Sequence, residues 1–238
     1  MIKLCQFRAP RFFPNLSPYC VKIESFLKLH HIPYEIEIIP GAHRAPRGKL
    51  PFIKDDERVI SDSTVIIEYL KDKYKLNIDP HLGDKEKAES KALQRLIEEH
   101  LFYIHAYFRW IDHDSYKEFK KAVFGKMPFI MRDIVPTIMR RRLLKRFKSH
   151  ALSDHSKAEI LSKAQEDITA LAHFLGDKKY FFSENQISFI DIICFSFVGN
   201  ILNDVFASPI KEIALKHPNL KNHSDHMLQL FKSDFPYS

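Results

Sequence analysis

The first residues whose types and spacing suggest chemistry are the consecutive Ser17, Pro18, Tyr19 and Cys20. Ser17 followed by Pro18 is a favourable pair for the N-cap and first position of a helix. Free N–H groups and partial positive charge gather at a helix N-terminus, so an alkoxide or thiolate near Ser17 would be stabilised there. The same four residues also suit a simple helix start, with Ser17 as the cap and Cys20 packed inward.

A second candidate is Leu50-Pro51, which precedes a short apolar run at residues 52–53. If this peptide bond is cis, the backbone N–H and C=O of Leu50 turn out of the sheet. They can then pair with an extended peptide ligand, as in strand addition. Only about 5–6 % of X-Pro bonds are cis, so the dipeptide alone is a weak indication.

A third candidate is Asp62-Ser63, at the predicted start of another helix. A ligand carboxylate fits such a position, bound by the Ser63 hydroxyl, the Ser63 N–H and the helix dipole. The Asp62 carboxylate can hold an ammonium group of the same ligand. A simple helix cap, with no ligand, explains the two residues as well.

The elements that must position these segments form a small α/β domain. Apolar runs and alternating apolar residues predict strands at 2–7 and 34–39 and a hairpin over 52–60. Helical apolar spacing predicts a helix from Ser17 to just before Pro33, between the first two strands, and a second helix, capped at 61–63, after the hairpin. Residues 76–83 are the best linker candidate. We therefore predict one domain at residues 1–77 and a second at residues 84–238.

The second domain shows helical patterns and almost no strand pattern. The predicted helices cover 85–112, 115–149 with breaks at Pro128 and Pro136, 156–175, 188–203, and one or two short helices within 209–231. The stretch 187–202 is strongly apolar, but it is too short and too polar to span a bilayer, so we expect a buried core helix. The fold class is therefore an α/β domain followed by an all-α domain.

Several common sites and compartments are excluded by the sequence. The six glycines lack the spacings of a Walker A loop or of GxGxxG, and there is no HExxH, GxSxG or CxxC. Three cysteines, an odd number, indicate a reducing compartment. The N-terminal residues are basic but lack the apolar core of a signal peptide, so we expect a cytoplasmic protein.

The net charge of +7 comes mostly from one segment, because residues 132–148 alone carry +6. A helix there would gather Met139, Leu143, Leu144 and Phe147 on one side and Arg141, Arg142, Lys145, Arg146 and Lys148 on the other. Such a helix can lie on an anionic membrane or phosphate surface through residues 140–148, and the same pattern also describes a solvated helix face. No nucleic-acid recognition fold accompanies it, so we expect no nucleic-acid partner.

Together the three candidate segments resemble the thioredoxin-like, glutathione-binding domain of glutathione S-transferases. Residues 188–191, Ser-Phe-Ile-Asp, are similar to the capping box of that family's central helical-domain helix. The finer match is to the failed-axon-connections and metaxin-like branch. The segments similar to that branch are SPYCVKIESFLKLHHIPYE, GKLPFI, ISDSTVIIEYL, LQRLIEEHLFYIHAYFRW and HPNLKNHSDHML. The resemblance covers nearly the whole chain.

The resemblance implies a role for each candidate residue. Leu50, followed by Pro51, would pair with the cysteinyl backbone of glutathione, and Asp62 and Ser63 would hold the γ-glutamyl end. Ser17 falls at the catalytic position of serine- and cysteine-type transferases. Its hydroxyl would lower the pKa of the glutathione thiol and hold the thiolate for attack on an electrophile. Glutathione is thus expected as co-substrate, and a homodimer is the family's usual assembly.

The electrophile would bind between the domains, along the long helix. The candidate lining residues are Tyr103, Tyr107, Arg109 and Trp110, with His105 nearby, although the helical spacing of 103, 107 and 110 also suits core packing. His223 and His226 lie three residues apart, but no third ligand accompanies them. We therefore expect surface histidines and no metal.

Two classes of function remain open. The first is a glutathione transferase that conjugates or reduces small electrophiles, with Ser17 activating the thiol. The second is a non-catalytic adaptor of the same fold, which docks a protein or an anionic membrane through a basic helix at residues 136–148. Asp62-Ser63 and Leu50-Pro51 favour the transferase. The irregular residues 8–16, longer than the equivalent loop of most such transferases, and the basic helix favour the adaptor.

Overall fold

The first part of the chain folds into a mixed four-stranded sheet. The computed structural model describes residues 1–10 and 13–232. Its strands are β1 (Ile2–Gln6), β2 (Tyr34–Ile38), β3 (Phe52–Asp55) and β4 (Arg58–Ser61). Helix α1 (Pro18–Leu29) connects β1 to β2, and α2 (Ser63–Tyr74) follows β4. The strand order is β2-β1-β3-β4, with β1 parallel to β2 and antiparallel to β3. The predicted β-α-β-β-β-α order of this domain is therefore confirmed, and each predicted strand matches within two residues.

The strand register brings the three candidate segments to one edge of the sheet. Phe52 pairs with Cys5 on one side and with Ser61 on the other. Cys5 is near the end of β1, so the chain leaving β1 runs to Ser17 from this edge. Leu50-Pro51 enters β3 at the same edge, and Asp62-Ser63 leaves β4 there.

The described residues from 84 to 232 form helices joined by turns and loops, with no β-strand among them. Its helices are α3 (Asp84–Arg95), α4 (Phe102–Trp110), α5 (His113–Phe124), α6 (Met131–Phe147), α7 (Lys157–Leu175), α8 (Phe189–Leu202), α9 (Pro209–Leu215) and α10 (Pro218–Lys232). A single π-helical segment, Leu96–Leu101, joins α3 to α4. Short 3-10 turns occur at Ala42–Arg44 and Ala151–Asp154.

The predicted break at Pro136 is wrong. Pro136 lies inside α6, whereas the break near Pro128 is present between α5 and α6. A proline at the sixth position of a helix removes one backbone hydrogen bond, here to the carbonyl of Arg132. Arg132 is exposed, so water can satisfy that carbonyl and the helix continues.

Helix α8 is the centre of the molecule, as predicted for the apolar stretch 187–202. All of its residues from Ile190 to Leu202 are buried. It packs between α1 of the first domain and α10 of the second. Within the described residues, no helix combines the length and the apolarity needed to cross a bilayer.

The predicted capping interaction at the start of α8 is present and joins a wider buried network. The Asp191 carboxylate accepts hydrogen bonds from Ser188 N–H at 2.8 Å and from Phe181 N–H at 2.9 Å. His223 Nε2 also lies 3.0 Å from Asp191 Oδ1. The expectation of a surface histidine at 223 is therefore wrong, since His223 is buried as part of this network.

Candidate functional site

Ser17 lies at the N-terminus of α1, with its side chain half-buried and not used to cap the helix. Its backbone N–H donates to Asn15 Oδ1 at 3.0 Å, and its carbonyl accepts from Cys20 N–H at 3.0 Å. Pro18 has no N–H, and the N–H groups of Cys20 and Val21 both donate to the Ser17 carbonyl, so Tyr19 supplies the N–H of this first turn that has no partner within the helix. Ser17 thus lies at the end of α1 where the partial positive charge of the helix gathers.

Cys20 is not a nucleophile in this arrangement. It is fully buried, and it packs with Leu50 and Phe52 of the sheet edge. Burial raises the pKa of the Cys20 thiol to about 12, against a smaller opposing effect of a hydrogen bond to the Ser17 side chain. The inward-packed position predicted for Cys20 is therefore confirmed, and the Ser17 hydroxyl is the chemically available group of the motif.

The loop before Ser17 is fixed by the helical domain. Asn15 is fully buried; its Nδ2 donates to the Phe7 carbonyl at 2.9 Å, and its own carbonyl accepts from Asn200 Nδ2 at 2.8 Å. One residue later, the Leu16 carbonyl accepts from Arg109 Nη1 at 2.7 Å. The end of the irregular segment 8–16 is thus anchored to the helical domain just before Ser17; residues 11 and 12 lie outside the described residues.

Arg109 belongs to a buried charged cluster. Its Nε donates to Asp204 Oδ2 at 2.8 Å, and its Nη2 donates to Asn200 Oδ1 at 2.6 Å. His105 Nε2 lies 2.8 Å from the same Asp204 oxygen. Burial alone would raise the pKa of Asp204, but Arg109 and His105 outweigh it and lower that pKa to about 2. Burial and the Arg109 charge lower the pKa of His105 to about 4, so this imidazole is neutral at pH 7.

The Leu50-Pro51 peptide bond is cis. Leu50 is buried, and it shares one apolar cluster with Cys20 at the start of α1. The hydrogen-bonded part of β3 begins at Phe52, so the Leu50 backbone precedes the paired strand.

Asp62 and Ser63 form the start of α2. Asp62 is exposed and adopts a left-handed backbone conformation with φ of 80°, and its Oδ1 accepts from Thr64 N–H at 3.0 Å. Asp62 therefore caps the helix, as the simpler interpretation required. Ser63 is buried, and its hydroxyl accepts a hydrogen bond from the Lys22 ammonium at 3.4 Å.

Lys22 was missed by sequence reasoning. Its side chain is completely buried, and Nζ lies 2.5 Å from Oε1 of Glu98. Burial lowers the pKa of Lys22, and the Glu98 carboxylate opposes that effect. The ammonium also donates to the Ser63 hydroxyl, so Lys22 holds that hydroxyl in place while Glu98 offsets most of its charge. The sequence does contain an indication of this buried cation: Lys22 lies on the otherwise apolar side of α1, between Tyr19 and Phe26.

Glu98 reaches Lys22 from the π-helical segment between α3 and α4. Gln94 Nε2 donates to its second carboxylate oxygen at 3.2 Å, and the Tyr19 hydroxyl donates to the Glu98 backbone carbonyl at 3.4 Å. The extra residue of a π turn shifts the register of a helix face and is frequent at functional sites. Here the turn positions the counter-ion of Lys22.

The three aromatic candidates of the long helix are not equivalent. Trp110 is buried with Phe119 and Phe124, which favours core packing over the lining of a ligand pocket. Tyr103 and Tyr107 are half-buried. The Tyr103 ring stacks on His150 at 4.0 Å between ring centroids, and that of Tyr107 lies 5.7 Å from that of Phe147. Both tyrosines stay predictions for the electrophile site.

The apolar side of the basic helix α6 is used by the protein itself. Met139 and Leu143 pack on the cluster around Trp110, and Phe147 belongs to the main helical core. This differs from the expected amphipathic helix, in which these residues would be available to a membrane. Nothing among the described residues forms a cluster of three or more metal-ligating side chains.

Comparison with known proteins identifies the family. Residues 18–115 match the family model described as the glutathione S-transferase N-terminal domain, and residues 164–227 match the glutathione S-transferase C-terminal domain. The chain is 31% identical to the isoprene-epoxide–glutathione S-transferase of Rhodococcus sp. (strain AD45), over 79% of this chain and 81% of that protein.

Two further relatives belong to the branch that the sequence motifs resemble. The chain is 30% identical to Failed axon connections of Drosophila melanogaster, over 95% of this chain and 57% of that protein. It is 27% identical to human metaxin-1, over 94% of this chain and 49% of that protein. The chain therefore spans about half the length of these two relatives.

Solved structures show the same fold across both domains. The beta-etherase LigF from Sphingobium sp. strain SYK-6 has a TM-score of 0.63 at 18% identity, and covers 98% of this chain and 99% of its own. A glutathione transferase family member from Pseudomonas fluorescens pf-5, with two glutathione bound, has a TM-score of 0.60 at 16% identity, over 96% of this chain and 88% of its own. The predicted fold, an α/β thioredoxin-like domain followed by an all-α domain, is confirmed.

Proposed function

Because the chain belongs to the glutathione S-transferase family, we propose that it binds glutathione at the edge formed by Ser17, Leu50, Asp62 and Ser63, and conjugates or reduces small electrophiles with it. The observation that supports this proposal is the convergence of the three candidate segments: the register Cys5–Phe52–Ser61 aligns the strand ends, and Cys20 of the Ser17 motif packs on Leu50 and Phe52 there. Each segment taken alone is also explained by a local structural role, as a helix start, a strand entry or a helix cap. A glutathione site is therefore supported by the convergence of the three segments more than by any one of them.

The γ-glutamyl end of glutathione carries an ammonium and a carboxylate, and the start of α2 offers a partner for each. The exposed Asp62 carboxylate binds the ammonium. The Ser63 hydroxyl and N–H bind the carboxylate, with Lys22 3.4 Å behind the hydroxyl. A hydrogen bond to a charged group is worth about 1.5–3 kcal/mol, so this end supplies much of the binding energy.

The cysteinyl part lies between Leu50 and Ser17. The backbone of Leu50 pairs with the cysteinyl backbone and directs the thiol to the N-terminus of α1. Ser17 then donates a hydrogen bond to the sulfur, which favours the thiolate over the thiol. The free thiol has a pKa of about 8.5, so each pKa unit of lowering raises the thiolate fraction at neutral pH up to tenfold.

In the chemical step the thiol proton leaves to solvent and the thiolate attacks the electrophilic carbon. A carbon–sulfur bond forms while the bond to the leaving group breaks, or while a strained ring opens and takes up a proton. Tyr103 and Tyr107 are the predicted lining residues for the electrophile. The Ser17 hydroxyl keeps its own proton throughout, so it acts by stabilising the anion.

Calorimetry with glutathione tests the binding part of this proposal. We expect the parent to bind, and Ser63→Ala to bind more weakly by about 1–3 kcal/mol, because the ligand carboxylate loses a hydrogen bond. Thr64→Ala is the matched control, since Thr64 is exposed one residue further along α2. Equal affinity of Ser63→Ala and the parent would remove Ser63 from the site.

A non-catalytic adaptor of the same fold is the second candidate. It is favoured by the similarity to Failed axon connections and metaxin-1, which extends over a larger share of this chain than the similarity to the Rhodococcus transferase. The two candidates differ in turnover. An adaptor would show no conjugation of a chloronitrobenzene or an epoxide by the full chain with glutathione, whereas the transferase would.

A further inference from the structure

Exposed apolar side chains are concentrated in one segment of the second domain. Eleven large apolar side chains are exposed in the described ranges, 1–10 and 13–232, and six of them lie within residues 127–138. These six are Met127, Phe129, Ile130, Met131, Ile134 and Ile138. Apolar surface gathered in this way marks an interaction site, whereas single exposed apolar residues are normal.

The most regular part of this surface runs along α6 and its entry. Phe129 is 73% exposed, Ile130 66%, Ile134 49% and Ile138 47%. We call these four residues the apolar ridge. Ile130, Ile134 and Ile138 are spaced four residues apart and therefore share one side of the helix. Val135, Met139 and Leu143 on another side already attach α6 to the protein, so the apolar ridge is not needed for folding contacts.

The same side of α6 continues into cations. Arg141, Lys145 and Lys148 follow Ile138 at steps of three, four and three residues, which keeps them in line with the apolar ridge. All three are exposed. The ion pairs that α6 makes within the described residues involve Asp133, with Lys120 at 2.6 Å and Arg132 at 3.9 Å. This side of α6 is therefore apolar in its first half and cationic in its second half. In the described part of the chain, the three cations have no carboxylate partner.

We propose that this side of α6 docks on an anionic lipid bilayer, with the apolar ridge among the acyl chains and Arg141, Lys145 and Lys148 on the headgroup phosphates. The span from Ile130 to Lys148 is about 27 Å of helix, which suits a helix lying in the plane of the interface. Apolar insertion and charge attraction act together in such binding, and each cation near the surface contributes about fivefold in partition.

Charge distinguishes this occupant from a second copy of the chain. In a symmetric dimer through α6 the partner surface is this same side of the helix, which supplies apolar side chains for the apolar ridge but no row of carboxylates for Arg141, Lys145 and Lys148. Nucleic acid would satisfy the cations, but its phosphate backbone offers no partner for four exposed apolar side chains. An anionic bilayer offers acyl chains to the apolar ridge and headgroup phosphates to the three cations. The proposal does not depend on glutathione binding, because it uses none of the residues of that site.

Co-sedimentation of the full chain with vesicles tests the proposal. We expect binding to vesicles of phosphatidylserine and phosphatidylcholine, much weaker binding to phosphatidylcholine alone, and a steep loss at high salt. The cation variant, Arg141→Gln with Lys145→Gln and Lys148→Gln, should bind about 100-fold more weakly. The ridge variant, Ile130→Ser with Ile134→Ser, should lose at least about tenfold.

The matched control is Val59→Ser with Val65→Ser, because these side chains are 51% and 49% exposed on the first domain. This control should bind vesicles as the parent does. Equal thermal midpoints of parent and variants show that the variants are folded. Phe129→Trp gives an independent readout, since a tryptophan that enters the bilayer shifts its emission to the blue.

Three results would overturn the proposal. The first is a parent that does not bind anionic vesicles, or a ridge variant that binds them as well as the parent. The second is a parent that is dimeric in lipid-free sedimentation equilibrium and becomes monomeric only in the ridge variant, which would assign the ridge to an interface between copies. The third is binding of single-stranded RNA that depends on the cations alone, without any vesicle binding, which would assign the cations to nucleic acid.

Discussion

Lys22 and Glu98 form an ion pair between the two domains, with Nζ 2.5 Å from Oε1; the Lys22 side chain is fully buried and that of Glu98 is 11% exposed. Lys22 is on α1 of the sheet domain, and Glu98 is on the π turn of the helical domain. The pair lies directly behind the Ser63 hydroxyl, which is 3.4 Å from the ammonium. One interaction therefore connects domain docking to the proposed glutathione site.

Glu98→Gln should destabilise the folded protein by about 3–5 kcal/mol, because it leaves the buried Lys22 ammonium without its counter-charge. Lys22 already has a lowered pKa in the folded state. Without Glu98 the folded state binds this proton still less readily than the unfolded state, so the variant's stability should rise as pH increases. Urea unfolding between pH 6 and about 9 measures both effects, each relative to the parent.

Lys22→Met with Glu98→Leu serves as the control for this pair. Replacing both charges by apolar groups should restore most of the stability. Glutathione affinity should not recover in the double variant, because the cation behind Ser63 is absent. Full recovery of affinity would separate Lys22 from the ligand site.

Asp204→Asn should weaken both stability and the approach to Ser17. Arg109 then keeps its bonds to the Leu16 carbonyl and Asn200 but loses its buried counter-ion, at a cost of about 3–5 kcal/mol. Denaturant unfolding gives the stability, and calorimetry on the folded variant gives the glutathione affinity. Asp133→Asn, which removes a carboxylate from an exposed pair with Lys120, should change neither. A stable Asp204→Asn protein with unchanged affinity would contradict the anchoring role.

Glu24→Gln should flatten the pH dependence of stability. Glu24 is fully buried on α1, and burial raises its pKa to about 7 from 4.5. A raised carboxyl pKa means that the folded state holds the proton longer than the unfolded state. Its contribution to stability is therefore complete below about pH 4.5 and is lost as pH rises through about 7.

Thermal and urea unfolding at pH 5 and about pH 8 test this effect. The parent should lose up to about 3 kcal/mol more than Glu24→Gln over this interval. Glu35→Gln, an exposed position on the neighbouring strand β2, is the control and should follow the parent. Parallel pH profiles of the parent and Glu24→Gln would show that Glu24 ionises normally in the folded protein.

The sequence allowed the elements around the site to be predicted because each depends on local chemistry. Ser17-Pro18 starts a helix, alternation defines the strands, and the Asp191 carboxylate caps α8. The interactions that couple the domains were not predictable in this way. Arg109 and Leu16 are 93 residues apart, and the Lys22–Glu98 pair spans 76 residues. Such partners depend on tertiary packing that no local pattern encodes.

Two local features also escaped prediction for physical reasons. The π turn at Leu96–Leu101 adds one residue to a helix whose apolar spacing otherwise continues, so the sequence reads as one uninterrupted helix. The apolar ridge was overlooked because Met139, Leu143 and Phe147 form an equally good apolar side of α6. Only the structure shows which of the two sides faces the protein core.

Disulfide exchange in Ser17→Cys measures whether residue 17 lies at the glutathione sulfur. The introduced thiol lies at a helix N-terminus, where thiol pKa values fall below about 8.5. It should attack oxidised glutathione, forming a protein–glutathione mixed disulfide and releasing one reduced glutathione. The Cys20 thiol is in hydrogen-bond contact with the side chain of residue 17, so it can then resolve the mixed disulfide, and the product is either an added glutathione or an internal disulfide. The parent, whose Cys5, Cys20 and Cys194 are all buried, should stay unmodified.

Ser156→Cys is the matched control, because Ser156 is the exposed N-cap of α7 and is remote from the sheet edge. Mass spectrometry over time at increasing oxidised glutathione gives the rate of adduct formation for both variants. We expect the rate to saturate for Ser17→Cys, since oxidised glutathione binds before it reacts, and to rise linearly for Ser156→Cys. A folded Ser17→Cys protein that stays unmodified, or that reacts as linearly as the control, would contradict the placement of residue 17 at the glutathione sulfur.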